Sequence, residues 1–190
     1  EEDYAQEIAD AQAKGCDVLL VAPAVMGSLS EQKTPQGVCC TVAIPEEPES
    51  IGGRLIVAMD GVQDPGNVGT ILRTANALGI PVALLEGCAD PYSHKVVRAS
   101  MGAVFRTPVQ QTTWQEAKAA CIAAGIPVAV TALSDRAVDI RNGNVAEAAV
   151  VIGSEGQGVR KEILESAQKE LIIPMNPRCE SLNAAVAASI

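Results

Sequence analysis

Three stretches of this chain combine charged or amide side chains with glycine and proline, a mixture that brings polar groups and open backbone to one point. The first runs Asp60-Gly-Val-Gln-Asp-Pro-Gly-Asn-Val-Gly-Thr-Ile-Leu-Arg-Thr-Ala75. Within it Pro65 fixes φ, Gly66 permits positive φ and Asn67 can cap helical amides, so Asp64 to Asn67 predicts a turn that opens a helix over Val68 to Leu78. Arg73 stands six residues beyond Asn67. That is about one and two-thirds turns at roughly 3.6 residues per turn, so its guanidinium can point back to meet an anion or a nucleophile. The second stretch, Gly153-Ser-Glu-Gly-Gln-Gly158, has glycines for close backbone approach and Glu155 as its one charge. It lacks the GxGxxG spacing of a dinucleotide site and the Lys-Ser/Thr of a P-loop, which counts against both nucleotide readings. In the third, Ile173-Pro174-Met175 leads into a polar loop, and Ser181-Leu182-Asn183 opens a small-residue helix over Ala184 to Ile190. Taken singly, each stretch is more often structural than catalytic.

The elements that must position them alternate. Apolar runs at Arg54 to Met59, Pro81 to Leu85, Val104 to Val109, Pro127 to Leu133 and Ala148 to Gly153 read as strands; Tyr92 to Arg98 and Trp114 to Ala124 read as helices, with Trp114 used for core or interface packing. The pattern predicts an α/β fold, a mainly parallel sheet with helices on both faces. Ligands in such sheets lie beyond the carboxyl ends of the strands. Thr131, Gly153 and the Ile173-Pro174-Met175 segment all fall near such ends, so three loops can form one pocket. Ahead of this lie a helix over Glu1 to Lys14, a strand over Asp17 to Ala22, a helix over Ala24 to Leu29 and a strand over Gly37 to Ile44, part of a small α/β domain. Proline, acid and glycine between Pro45 and Gly53 predict a linker. The expected division is residues 1–45, a linker at 46–53 and a larger domain at 54–190.

Composition narrows the function. One Trp, one Phe and two Tyr argue against binding single strands through aromatic platforms. Six scattered cysteines without a CxxC pair and a lone His94 argue against a metal site, and no signal peptide or long apolar span is present. A reducing cytoplasm, with no membrane and no metal, is expected. The net charge of −9 is unevenly spread: residues 1–50 carry ten acids and two lysines, −8, and residues 51–190 carry thirteen acids and twelve bases, −1. The larger domain is therefore not repelled by a polyanion, and Lys95, Arg98 and Arg106 can meet phosphates.

The three stretches, in this order, resemble motifs 1, 2 and 3 of the SpoU (TrmH-like) RNA methyltransferases, and Pro91-Tyr-Ser-His-Lys-Val-Val-Arg-Ala-Ser-Met-Gly102 also resembles that family. Thr34-Pro-Gln-Gly37 resembles the segment that closes the family's small substrate-binding domain. The resemblance implies a deep C-terminal trefoil knot holding S-adenosylmethionine, and it implies that the chain lacks the first strands of its small domain and a few residues of its last helix. Positions matching the family's cofactor contacts are Gly153, Ile173 and Leu182, with Thr131 and Met175. Those matching the catalytic side are Asn67, Arg73, Glu155, Ser181 and Asn183. Two departures stand in motif 3: Pro177 where glycine is common, and Ala184-Ala185 in place of a more usual Val-Ser.

The implied reaction is methyl transfer to a ribose 2′-hydroxyl of RNA, ribosomal ahead of transfer RNA. A guanidinium stays protonated, so Arg73 would orient the hydroxyl and stabilise developing oxyanion charge, with Asn67 and Glu155 fixing its position. The resemblance also implies a homodimer whose pocket is completed by the partner's arginine. The rival reading is a non-catalytic RNA-binding or ribosome-associated module of the same fold.

Overall fold

The computed structural model describes residues 4–30 and 34–190. The chain divides into two compact units, Glu1–Ala43 and Ile44–Ile190. In the first, helix α1 spans Ala5–Ala13 and ends where Gly15 turns to φ +80°, and α2 spans Pro23–Leu29 with proline in its first turn. The first three residues of the helix expected from Glu1 lie outside the described residues. The strands expected over Asp17 to Ala22 and Gly37 to Ile44 do not form. A strand needs a neighbour to take its backbone N–H and C=O groups, and neither segment pairs with another described segment, which leaves Leu19 83% and Val42 64% exposed.

The second unit is built on a seven-stranded sheet in which every strand pair is parallel. Its strands are β1 (Leu55–Asp60), β2 (Val82–Leu84), β3 (Val109–Gln111), β4 (Val128–Thr131), β5 (Val138–Asp139), β6 (Ala148–Gly153) and β7 (Lys169–Ile172). They lie in the order β3-β2-β1-β6-β4-β7-β5. Strand β3 starts at Val109 because Ala103–Phe105 forms a 3-10 turn where strand had been expected. Short β5, β7 and the helix α6 (Lys161–Ser166) complete the edge beyond β4.

Alternation along β1 sends Ile56 and Ala58 to one face and Val57 and Met59 to the other. Trp114 and Cys121 of α5 (Trp114–Ala124) and Ile163 of α6 cover the first face, and Trp114, 4% exposed, is a core residue. Helices α3 (Pro65–Leu78), α4 (His94–Ala99) and α7 (Ala184–Ala188) cover the second. Val68, Ile71 and Leu72 of α3 are all at most 2% exposed, and such burial stabilises by about 1.5–3 kcal/mol per side chain. Helices α3 and α4 touch at Gly69, where an added Cβ would lie 2.4 Å from that of Ala99. The segment expected as a linker, 46–53, is without helix or strand, and Glu47 accepts hydrogen bonds from the backbone and side-chain amides of Gln111 on edge strand β3 at 3.0 Å.

Chain order reverses between β1 and β6, the switch point at which open parallel sheets bind ligands. Asp60 and Gly153 are register partners there, so the loops that follow the two strands leave the sheet side by side.

Candidate active site

Asp64 is the N-cap of α3, and its Oδ1 accepts from the backbone N–H of Asn67 at 2.8 Å. The helix therefore begins three residues earlier than expected, and Asn67 sits inside its first turn instead of capping it. This frees the Asn67 side chain. Its Nδ2 donates to Glu155 Oε1 in the glycine-rich loop after β6. Its Oδ1 accepts from Asn183 Nδ2 at 2.9 Å. Asn183 in turn is the N-cap of α7, where its Oδ1 accepts from the backbone N–H groups of Ala185 at 3.0 Å and Val186 at 3.2 Å.

Only one orientation of the two amides satisfies this chain. Helix amides donate to Asn183, Asn183 donates to Asn67, and Asn67 donates to a carboxylate. Every dipole points the same way, and hydrogen bonds aligned in this manner strengthen one another. Asn67, Glu155 and Asn183, drawn from three distant stretches, are thus one hydrogen-bonded unit.

Beside it lies a cavity of about 550 Å³, within the roughly 300–1,000 Å³ usual for small-molecule sites. Thr131, Gly153, Glu155, Ile173, Met175, Ser181 and Leu182 all line it. The Thr131 hydroxyl donates to the carbonyl of Val151 at 3.2 Å. At Gly153 an added Cβ would lie 2.1 Å from the carbonyl carbon of Gly158 and 2.2 Å from the nitrogen of Val159. Glycine is required because the loop folds back on its own base, where Ser154 and Gly158 exchange backbone hydrogen bonds of 3.2 and 2.9 Å. Asn67 and Asn183 face a second hollow with Asp64, Gly66 and Thr70.

Arg73 joins neither cavity. It is exposed and makes no hydrogen bond or ion pair with the described residues, so the expected contact with Asn67 and Glu155 is not formed. Helix geometry accounts for this: six residues at about 100° each carry Arg73 some 120° away from Asn67 around α3. Thr74, on the Asn67 side, is the residue that meets α7, with its Oγ1 3.3 Å from Ser189 Oγ.

Three charged residues at this end of the sheet escaped the sequence reading. Asp60, 2% exposed, accepts from the backbone N–H of Arg160 at 2.8 Å and from its Nε at 2.6 Å. Arg160 Nη2 donates to Glu86 at 2.7 Å. Burial alone would raise the Glu86 pKa, but the hydrogen bond and charge of Arg160, together with the backbone N–H groups of Glu86 and Trp114, hold the carboxyl below its ordinary value. The signal was present: an acid closing an otherwise apolar strand demands a partner, and Arg160 is the first base after the glycine loop.

The SpoU rRNA Methylase family matches residues 54–190, and a family described as RNA 2′-O ribose methyltransferase substrate binding matches residues 1–48. The chain belongs to the SpoU family. It is an RNA 2′-O-ribose methyltransferase by that membership. Among its relatives is the 23S rRNA (guanosine(2553)-2′-O)-methyltransferase RlmP of Bacillus subtilis, 33% identical over 177 residues that cover 93% of this chain and 71% of RlmP. The 23S rRNA (adenosine(1067)-2′-O)-methyltransferase of Streptomyces laurentii is 32% identical over 191 residues, 96% of this chain and 70% of that protein. Among solved structures, the AdoMet-bound rRNA methyltransferase of Sinorhizobium meliloti superposes with a TM-score of 0.81 at 32% identity, covering 98% of this chain and 74% of that one. Within this SpoU chain no described helix is long and apolar enough to cross a membrane.

Proposed function

We propose that this SpoU enzyme transfers a methyl group from S-adenosylmethionine to a ribose 2′-hydroxyl of ribosomal RNA, with the cofactor in the cavity beside Glu155. The observation that carries this is the aligned chain from the α7 amides through Asn183 and Asn67, which face the second hollow, to Glu155, which lines the cavity of about 550 Å³. A non-catalytic binding module has no need of such a chain. The rRNA-modifying relatives support the substrate class.

Thr131, Gly153, Ile173, Met175 and Leu182 would hold the cofactor, through backbone groups and apolar side chains, in a knot formed by the segment leading to α7. The cofactor supplies an activated methyl group. In the transfer the 2′-oxygen would bond to the methyl carbon as the carbon–sulfur bond breaks and its electron pair returns to sulfur, the hydroxyl proton passing to solvent water. Asn67, Glu155, Ser181 and Asn183 orient the ribose. The Arg73 guanidinium stabilises charge developing on the 2′-oxygen. Since Arg73 points away from its own chain's Asn67, it serves the site of a second copy, and the working unit is a homodimer. Residues 1–45 guide RNA, 46–53 join them to the catalytic domain at 54–190, and six unpaired thiols suit the cytoplasm.

Calorimetry with S-adenosylhomocysteine, ATP and NAD, followed by mapping of ribose methylation on ribosomal RNA, tests the reading. Binding of S-adenosylhomocysteine alone is expected; saturable ATP binding with no response to S-adenosylhomocysteine would overturn it.

A further inference from the structure

The loop that carries Glu155 has little packing of its own. Residues 155–158 are exposed, and nothing lies within 4 Å of where a Cβ on Gly156 would sit. Where Glu155 stands is therefore decided at the two ends of the loop. It leaves the sheet through β6, which the ladder to β1 holds in register as far as Gly153. It returns through Val159 and Arg160.

We propose that Arg160, clamped between Asp60 and Glu86, is the positioning residue that sets Glu155 against Asn67; the proposal rests on the methyltransferase reading given above. The geometry is that of a two-sided clamp. The backbone N–H and the Nε of Arg160 occupy both oxygens of Asp60, at 2.8 and 2.6 Å, and the Asp60 side chain is only 1% exposed. A carboxylate so enclosed cannot be left unpaired without a large penalty, so the place of Arg160 is not free to drift. On the other side Nη2 reaches Glu86 at 2.7 Å, and Glu86 accepts from the backbone N–H of Trp114, 3.3 Å away, at the start of α5. The returning end of the loop is thereby tied to the ends of β1 and β2 and to a third element. None of these groups lines the cofactor cavity, although the adjoining Val159 does. The clamp thus acts on the reaction only through the loop.

A double-mutant cycle separates this role from plain stabilisation. Arg160→Met keeps the aliphatic stem and removes the charge. It is expected to lower kcat about ten-fold, more than it weakens S-adenosylhomocysteine binding, because the sheet still holds the Gly153 end of the loop that lines the cavity. Glu155→Gln, costly in the parental protein, should add less than about two-fold in the Arg160→Met background, because the carboxylate is already misplaced; the two losses in Tm should simply add. Arg160→Lys, which keeps one charged donor for Asp60, should recover part of kcat. Amide exchange across residues 154–158 reads the loop without turnover and should quicken in Arg160→Met. Kinetic losses that multiply, or loop exchange that is unchanged in both Arg160 variants, would overturn the inference. If the parental protein neither binds S-adenosylhomocysteine nor methylates RNA, it is the methyltransferase reading that fails, and the exchange result still decides the clamp.

Discussion

Asn183 donates to Asn67 at 2.9 Å across 116 residues of sequence, and this bond ties the third motif to the first. Since Asn67 also holds Glu155, one amide side chain joins all three stretches whose residue types first suggested chemistry.

Asp64 and Asn67 should separate in mutation. Asp64 caps α3, so Asp64→Ala is expected to cost about 0.5–2 kcal/mol. In a chain of this size each kcal/mol lowers Tm by about 2–4 °C. Asn67→Ala removes no cap. It should leave Tm within about 2 °C of the parent while methylation falls at least ten-fold, and melting curves beside methylation rates check both.

Arg73→Ala should leave both stability and S-adenosylhomocysteine affinity unchanged, because the side chain is exposed and lines neither cavity. If it stabilises charge in the transition state, kcat falls by about 10² or more. Calorimetry and single-turnover methylation measure the two quantities separately; parental turnover in this variant would remove Arg73 from the mechanism.

Mixing Arg73→Ala with Asn183→Ala protein tests the composite site. Each variant alone should be nearly inactive. After exchange of subunits at equal ratio, about half the dimers are mixed and each carries one intact site, so about a quarter of parental activity should return. No recovery in subunits shown to have exchanged would place Arg73 with its own chain's pocket.

Gly153→Ala should abolish cofactor binding at modest cost to the sheet. The new methyl group would lie 2.1 Å from Gly158, and only displacement of the loop relieves it. A loss of about 1–3 kcal/mol in stability is expected, with S-adenosylhomocysteine no longer detected by calorimetry.

The Glu86 carboxyl is depressed in the folded state, since the Arg160 hydrogen bond and charge and the backbone N–H groups of Glu86 and Trp114 together outweigh burial. A depressed carboxyl stabilises the fold above its unfolded pKa, about 4.5, and that contribution is lost as pH falls through the lower folded value. Glu86→Gln should therefore melt earlier than the parent at pH 7. The difference should shrink as pH falls below the ordinary carboxylate value, and a Tm gap that widens with acid would contradict this assignment.

Much of this was readable from residues alone, for identifiable reasons. Leu55–Asp60 and Ala148–Gly153 are apolar runs with turn residues at their ends, and both became central parallel strands. Thr131, Gly153 and Ile173 end or follow such strands, and the sheet brings them to one cavity. The start of α3 was misplaced because aspartate and asparagine cap equally well, and only the bond from Asn67 N–H to Asp64 shows which one does. The direction of Arg73 failed for another reason. Counting turns gives height along a helix, while which way the side chain faces depends on the angle around it. Segments 17–22 and 37–44 have strand composition, but composition does not supply a pairing partner.

The bonds that Asn67 makes to Glu155 and Asn183 also set a clock on synthesis. At about 5–20 residues per second, 116 further residues emerge on the order of ten seconds after Asn67 does. Throughout that interval α3 can form, yet its Asn67 amide has no site to complete. On the role proposed for Asn67, a partly made chain in this state is not yet a methyltransferase.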